Sequence, residues 1–378
     1  MIELFESAKT GEVDFWHAPS VVNNTVDVMI SPSYASKFEK FLKEHGYPFH
    51  IAIQDLKKNA FFSVFHYYNE QKCQIAQAIP DLAKVVDIGL SSEGRSIIGI
   101  KFGEDKPYKK VVVIDAGIHA REWAAIHTGI YFINMIVNNR QDDPKIVSYL
   151  DNLVIYIFPV LNPDGYEYSR SNMTDPRARM WRKSRSAKAC AFDGTSNGCC
   201  RGVDLNRNFD FHFAGRLNRI LLVKVSYPLA FSNLLLSLKG RLQGYITLHT
   251  YSQLWIYSYS HRRLAYAHDI DETKRIAKKA VDELQKMYGT KYRYGTGPEI
   301  IYPFSGGSTD WAKETLKVKY SYTIELRPNY QDWNGFVLDK DQLIPTAKET
   351  WAGVSVVLDE ILKQYKTNRC TFTFYECI

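Results

Sequence analysis

His119 and Glu122, within His119-Ala120-Arg121-Glu122-Trp123, place an imidazole and a carboxylate three residues apart. Both can turn onto one divalent metal ion. Catalysis by zinc then requires a third protein ligand and an open position for water. In a chain with 10 His such a pair is weak by itself, and the bland reading is a helix start with a solvated glutamate. Asp115 adds weight, because four residues before His119 it can accept the second ring N–H of a ligand histidine. His249 is the candidate third ligand, at the end of the apolar run Gly244–His249. Glu325 ends a second such run, Tyr320–Ile324, where a carboxylate is costly unless paired or functional; Arg327 is the alternative partner. Arg179 and Arg182 flank Trp181, and Asn206 precedes Arg207. These basic clusters suit an anionic substrate group, since Arg pairs a carboxylate in bidentate fashion and Asn adds a neutral donor.

The elements that must position these groups are legible. Val111 to Ile114 is a continuous apolar run, as in a strand buried on both faces. Asp115, Ala116 and Gly117 then turn the chain into a helix over Ala124–Val137, with Ile126, Ile130, Ile133 and Val137 on one face. Leu153 to Phe158 reads as a further buried strand, Pro159 to Gly165 as a turn-rich loop, and Thr346 to Tyr365 as an amphipathic helix. Alternating strands and helices mean an α/β fold with a mostly parallel sheet covered on both faces. Strand-to-helix corners at one edge of such a sheet gather functional groups.

The N-terminal stretch reads differently, as a small α+β unit. Thr25 to Ile30 alternates as a strand, Ser31-Pro32 opens a helix bearing Phe38, Phe41 and Leu42, Gly46 ends it, and Phe49 to Ile53 is another strand. Lys57-Lys58-Asn59 marks the boundary.

A length of 378 residues accommodates one large domain and one small one, with 45% hydrophobic and 14% aromatic residues to fill the core. The net charge of +7 is spread along the chain, which argues against nucleic-acid binding. No run reaches the length of a membrane span. Met1 to Glu6 has neither the basic start nor the apolar stretch of a signal peptide. Cys190, Cys199 and Cys200 lie in a loop rich in Gly, Ser and Asn, and Cys370 and Cys377 lie in the tail; with Cys73 they suggest disulfides and an oxidising compartment. Asn23 and Asn172 stand in glycosylation sequons.

The chain resembles the zinc metallocarboxypeptidases of the pancreatic A/B type in their proenzyme form. His119-Ala-Arg-Glu-Trp, Leu161-Asn-Pro-Asp-Gly-Tyr, Met180-Trp-Arg-Lys, Asp204-Leu-Asn-Arg-Asn-Phe, His249-Thr-Tyr-Ser-Gln, Ser305-Gly-Gly-Ser-Thr-Asp-Trp and Thr323-Ile-Glu-Leu-Arg carry it, in the family's order. Val13-Asp14-Phe15-Trp16 and Ile51-Ala-Ile-Gln-Asp-Leu resemble its inhibitory pro-domain. The resemblance implies a mixed, mostly parallel eight-stranded sheet with helices on both faces, preceded by a ferredoxin-like pro-domain. The corresponding division is pro-domain 1–57, connecting segment 58–64, catalytic domain 65–366 and a Cys-containing tail 367–378.

It further implies one Zn2+ held by His119, Glu122 and His249, with Glu325 as general base and Arg182 as oxyanion stabiliser. Asn206 and Arg207 would bind the terminal carboxylate of a peptide or protein, Tyr302 would close over it, and Arg121, Arg179 and Tyr251 would line the approach. The activity implied is release of C-terminal residues by a secreted monomer that a trypsin-like protease activates. A catalytically silent peptide-binding protein on the same fold is the alternative. Thr309 stands at the family's main specificity position and carries no charge, which suits neutral aliphatic or aromatic residues, although Thr247, Ser260 and Gly297 nearby are small or polar. Two stretches depart from the family. The segment 211–233 belongs to a longer stretch, Phe211 to His268, without Asp or Glu, and the family's cysteine partner for the counterpart of Cys200 is missing from it. The connecting segment is also short. With no leader and a tail that stops just after Cys377, the expectation is an incomplete or altered chain.

Overall fold

The computed structural model describes residues 13–17, 27–30, 34–49, 51, 79–171, 175–186, 188–190, 199–213, 226–332 and 334–373. The expected boundary at Lys57-Lys58, most of the Phe49–Ile53 strand, the Ser31-Pro32 cap and the two glycosylation sequons lie outside them.

Near the N-terminus, β1 (Val13–His17) pairs antiparallel with β2 (Asp27–Ile30). A helix over Ala35–Glu44 follows and buries Phe38, with Phe41 6.0 Å from it ring to ring.

The main sheet has eight strands. They are β3 (Ala83–Leu90), β4 (Ser96–Phe102), β5 (Lys110–Ala116), β6 (Leu153–Phe158), β9 (Leu242–Ser252), β10 (Leu254–Tyr257), β11 (Arg293–Thr296) and β12 (Tyr320–Asn329). Short β7 (Lys188–Cys190) and β8 (Cys199–Arg201) form a separate ribbon, with Cys190 opposite Cys199. The order across the main sheet is β11-β10-β12-β9-β5-β6-β4-β3. The central neighbours β12, β9, β5 and β6 run parallel, and β10 and β4 pair antiparallel with them.

The apolar run in β5 is buried because both sheet faces are covered. Val112 and Ile114 face a core shared with Ile126 and Ile130, Ile276 and Ala280, and Val354 and Leu358, from helices Trp123–Asn139, Ile270–Tyr288 and Lys340–Thr373. Val111 and Val113 point the other way, onto a core with Phe231, Leu235 and Trp311. Full burial of each such side chain contributes roughly 1.5–3 kcal/mol.

Within the divergent stretch 211–233, residues 214–225 are outside the described set, but Ser226–Ser237 is a helix. It buries Phe231 and Leu235 and exposes Leu236, and the Phe231 ring meets Phe158 edge-on at 5.7 Å. The end of this stretch is thus a helix whose Phe231 and Leu235 pack on the sheet.

Candidate metal centre and its cleft

Three parallel strands bring the expected ligands to one edge. His119 and Glu122 follow β5 at the corner before helix Trp123–Asn139, where Gly117 adopts φ 64°. A Cβ at Gly117 would meet Ile126 at 2.8 Å and the Pro159 carbonyl at 3.1 Å, so the turn suits a residue without one. His249 lies in β9, and in the register of β9 against β12 it stands opposite Glu325.

The inner geometry is a convergence of donors. His119 Nδ1 lies 2.8 Å from Glu122 Oε1, His249 Nδ1 lies 2.9 Å from Glu122 Oε2, and the two Nδ1 atoms are 3.1 Å apart. Two nitrogens bound tetrahedrally to one zinc at 2.0–2.1 Å would be about 3.3 Å apart, so the spacing fits that ion.

The outer hydrogen bonds aim the ring lone pairs inward. His119 Nε2 is 3.2 Å from Asp204 Oδ1, a carboxylate that can only accept, so Nδ1 is left bare. For His249, Thr247 gives its single hydroxyl proton to Asp115 at 2.8 Å and accepts from Nε2 at 3.1 Å. Asp115 therefore orients a ligand histidine only through Thr247, which is its register partner across β5 and β9. The direct contact expected for it belongs instead to Asp204. That residue also accepts from Arg182 Nε at 2.9 Å and from the Asn206 N–H at 3.0 Å, at the start of the 3-10 turn Leu205–Arg207.

Charge follows the same pattern. Burial opposes ionisation of Glu122, but His119 and His249 hold its carboxyl below the usual range. Burial likewise opposes the charge on Asp204, which Arg182 and His119 hold well below it. Glu325 goes the other way: burial pushes it up to about 7, Glu122 adds to this, and His249, Arg182 and Arg207 oppose it. A carboxyl poised there can take up and release a proton near neutral pH. Arg327, the alternative partner for Glu325, instead donates through Nε to Glu349 at 2.8 Å.

One cleft is lined by His119, Glu122, Arg182, Asn206, Arg207, His249, Tyr251, Tyr302 and Glu325. Within it, the Tyr302 hydroxyl is 3.4 Å from Arg207 Nη2. Three other expected substrate contacts are not among its lining residues. Arg179 is buried over the Trp123 ring at 3.8 Å and donates to the carbonyls of Arg121 and Phe336 at 2.8 and 2.9 Å. Arg121 is buried against the Phe336 ring at 4.2 Å. Thr309 sits behind the wall, its hydroxyl 3.2 Å from that of Thr323, which does line the cleft.

Asp310, beside Thr309, is buried and accepts the Ser260 N–H at 2.7 Å, and burial pushes its carboxyl up to about 7. An unfolded Asp titrates near 3.9, so between about 4 and about 7 the folded chain holds a proton that the unfolded chain has lost. Stability from this group therefore falls as pH rises through that window, by on the order of a few kcal/mol. Asp310→Asn removes the titration. Its melting temperature relative to wild type is expected to be more favourable at pH 7.5 than at pH 4.5, and a difference independent of pH would contradict this.

Comparison with known proteins agrees with the geometry. Residues 70–353 match the family model described as "Zinc carboxypeptidase", and residues 2–59 match "Carboxypeptidase activation peptide". Carboxypeptidase A2 of Mus musculus is 34% identical over 384 residues, covering 93% of this chain and 87% of that one. Carboxypeptidase B of Astacus astacus is 37% identical over 316 residues, covering 80% and 98%. The crystal structure of thrombin activatable fibrinolysis inhibitor superposes with TM-score 0.81 at 25% identity, covering 96% of both chains.

Proposed function

This chain belongs to the zinc carboxypeptidase family and carries that family's activation peptide, and from that premise we propose that it removes single neutral residues from free C-termini by a Glu325-based mechanism. The observation that carries the reading is the shared cleft: converging metal donors, a carboxyl near neutrality and the Arg207 cation line one wall system.

His119, Glu122 and His249 would hold the zinc, which supplies a water of lowered pKa and polarises a bound carbonyl. Asn206 and Arg207 bind the terminal carboxylate, which sets the last peptide bond against the metal site. Glu325 takes the proton from the attacking water and passes it to the leaving amine. Arg182, held by Asp204 at 2.9 Å, donates to the oxygen that gains charge in the transition state. Tyr302 and Tyr251 cover the bound end. The uncharged wall near Thr309 favours neutral side chains. The test is a peptide pair identical except for a free or amidated C-terminus. Only the free acid is expected to be cut, and equal cutting of both would remove the role given to Asn206 and Arg207.

The activation peptide makes this a proenzyme. We assign inhibition to residues 1–57, connection to 58–64, catalysis to 65–366 and a tail to 367–378, in a monomer working outside the cell. Among the described residues no helix is long and apolar enough to cross a membrane. Limited trypsin treatment, cutting near Lys57-Lys58, is expected to raise activity at least about tenfold by uncovering the cleft. Equal activity before and after treatment would contradict latency.

A further inference from the structure

Phe304 lines the same cleft as Arg207 and Tyr302. Its ring is half-buried in the cleft wall, and the Arg207 guanidinium lies over it at 4.4 Å. A terminal residue whose carboxylate sits on Arg207 projects its side chain from the very next carbon, which brings that side chain within reach of a ring only 4.4 Å from the guanidinium. The ring fills room left by two glycines. A Cβ on Gly307 would lie 2.8 Å from Phe304 Cε2, and one on Gly297 would lie 3.1 Å from Cε1. Neither glycine leaves the ring a vacancy to retreat into.

The backbone under the ring is also fixed. Phe304 N–H donates to the Ser260 carbonyl at 2.8 Å, and Gly306 exchanges hydrogen bonds with Phe211 and Phe209 at 3.1 and 3.0 Å. Gly306 has φ 71°, and a Cβ there would be 2.2 Å from the Arg207 carbonyl, so the loop is pressed onto the segment that carries the arginine. Tyr302 closes the remaining side, edge-on at 6.2 Å.

We propose that Phe304 is a specificity-determining residue that limits the removable C-terminal residue to small neutral side chains, such as Ala or Ser. This rests on the exopeptidase reading and narrows it: Thr309 leaves the pocket uncharged, and Phe304 makes it shallow. An aromatic terminal side chain would have to displace a ring that the loop, two glycines and Arg207 hold in place. Even one methylene misfit in a pocket changes kcat/KM by about 10- to 200-fold.

The experiment measures kcat/KM on trypsin-treated protein for peptides that differ only in ending in Ala, Leu or Phe. Wild type is expected to favour Ala over Phe at least about tenfold. Phe304→Ala is expected to raise release of Phe and reverse the ranking, and Phe304→Leu, the milder change, to fall between. Should Phe304→Ala fail to fold, Phe304→Leu decides alone. Wild type releasing Phe as fast as Ala, or variants that keep the wild-type ratio, would overturn the proposal and leave Phe304 a packing residue. Release of no residue from any peptide would instead overturn the exopeptidase reading. Dissociation constants of the same peptides by calorimetry then judge the size limit without turnover: Ala binding tighter than Phe supports it, and equal binding overturns it.

Discussion

Replacing Glu325 with Gln is expected to lower kcat by about 10²–10⁴-fold, while zinc content and peptide affinity stay near wild type. The amide keeps the shape of the side chain, and Glu325 is not among the three residues whose donor atoms converge on one point. What it loses is the ability to accept a proton. Glu325 is suited to that task, since burial lifts it to about 7, whereas Glu122 is held low by His119 and His249 and Asp204 by Arg182 and His119. Metal analysis, calorimetric peptide binding and kcat on one preparation separate the effects. Wild-type turnover in the variant would show that the base lies elsewhere.

Replacing His249 with Ala is expected to act one stage earlier, by losing the metal and with it all measurable turnover. His249 Nδ1 approaches both Glu122 and His119, at 2.9 and 3.1 Å, so its removal leaves two donors where a catalytic zinc site uses three. Buried Glu122 would also lose a polar partner, and a lower melting temperature is expected. Elemental analysis reads the result directly. A variant that retained stoichiometric zinc would place the third ligand outside His249.

These effects follow from parts of the chain that differ in how visible they are in the sequence. Val111–Ile114 and Leu153–Phe158 could be read because strands covered on both faces are apolar at every position. The β3–β4 hairpin could not: β3, at the sheet edge, buries Ala83 but exposes Lys84, Val85 and Asp87, and carries little periodic signal. Strands β10 and β11 are four residues each, too short for a pattern.

The ligands are legible because His119 and Glu122 follow an apolar strand and His249 closes an apolar run, although the strand itself continues to Ser252. Asp204 was not recognised as a hub, because its partners His119 and Arg182 lie 85 and 22 residues away and meet it only in the fold. The signal was present in its placement at the start of the Leu205–Arg207 turn, where an Asp caps by accepting an N–H. Asp115 is visible in the sequence as a partner for a ligand histidine, but strand register inserts Thr247 between it and His249. Arg179 reads in the sequence as a binding group near the cleft; in the fold it also donates to the carbonyls of Arg121 and Phe336, contacts that no sequence spacing announces. Phe304 carried no sequence signal, because an aromatic residue in a loop acquires meaning only when its ring is found against Arg207 and two glycines.

The central claim, that a zinc held by His119, Glu122 and His249 drives removal of one terminal residue at a time, is tested most directly by following a peptide by mass spectrometry after trypsin treatment of the protein. A ladder of single-residue losses from the C-terminus is expected, one that stops with a chelator and resumes on adding back zinc; internal cleavage, or a ladder indifferent to the chelator, would overturn that reading.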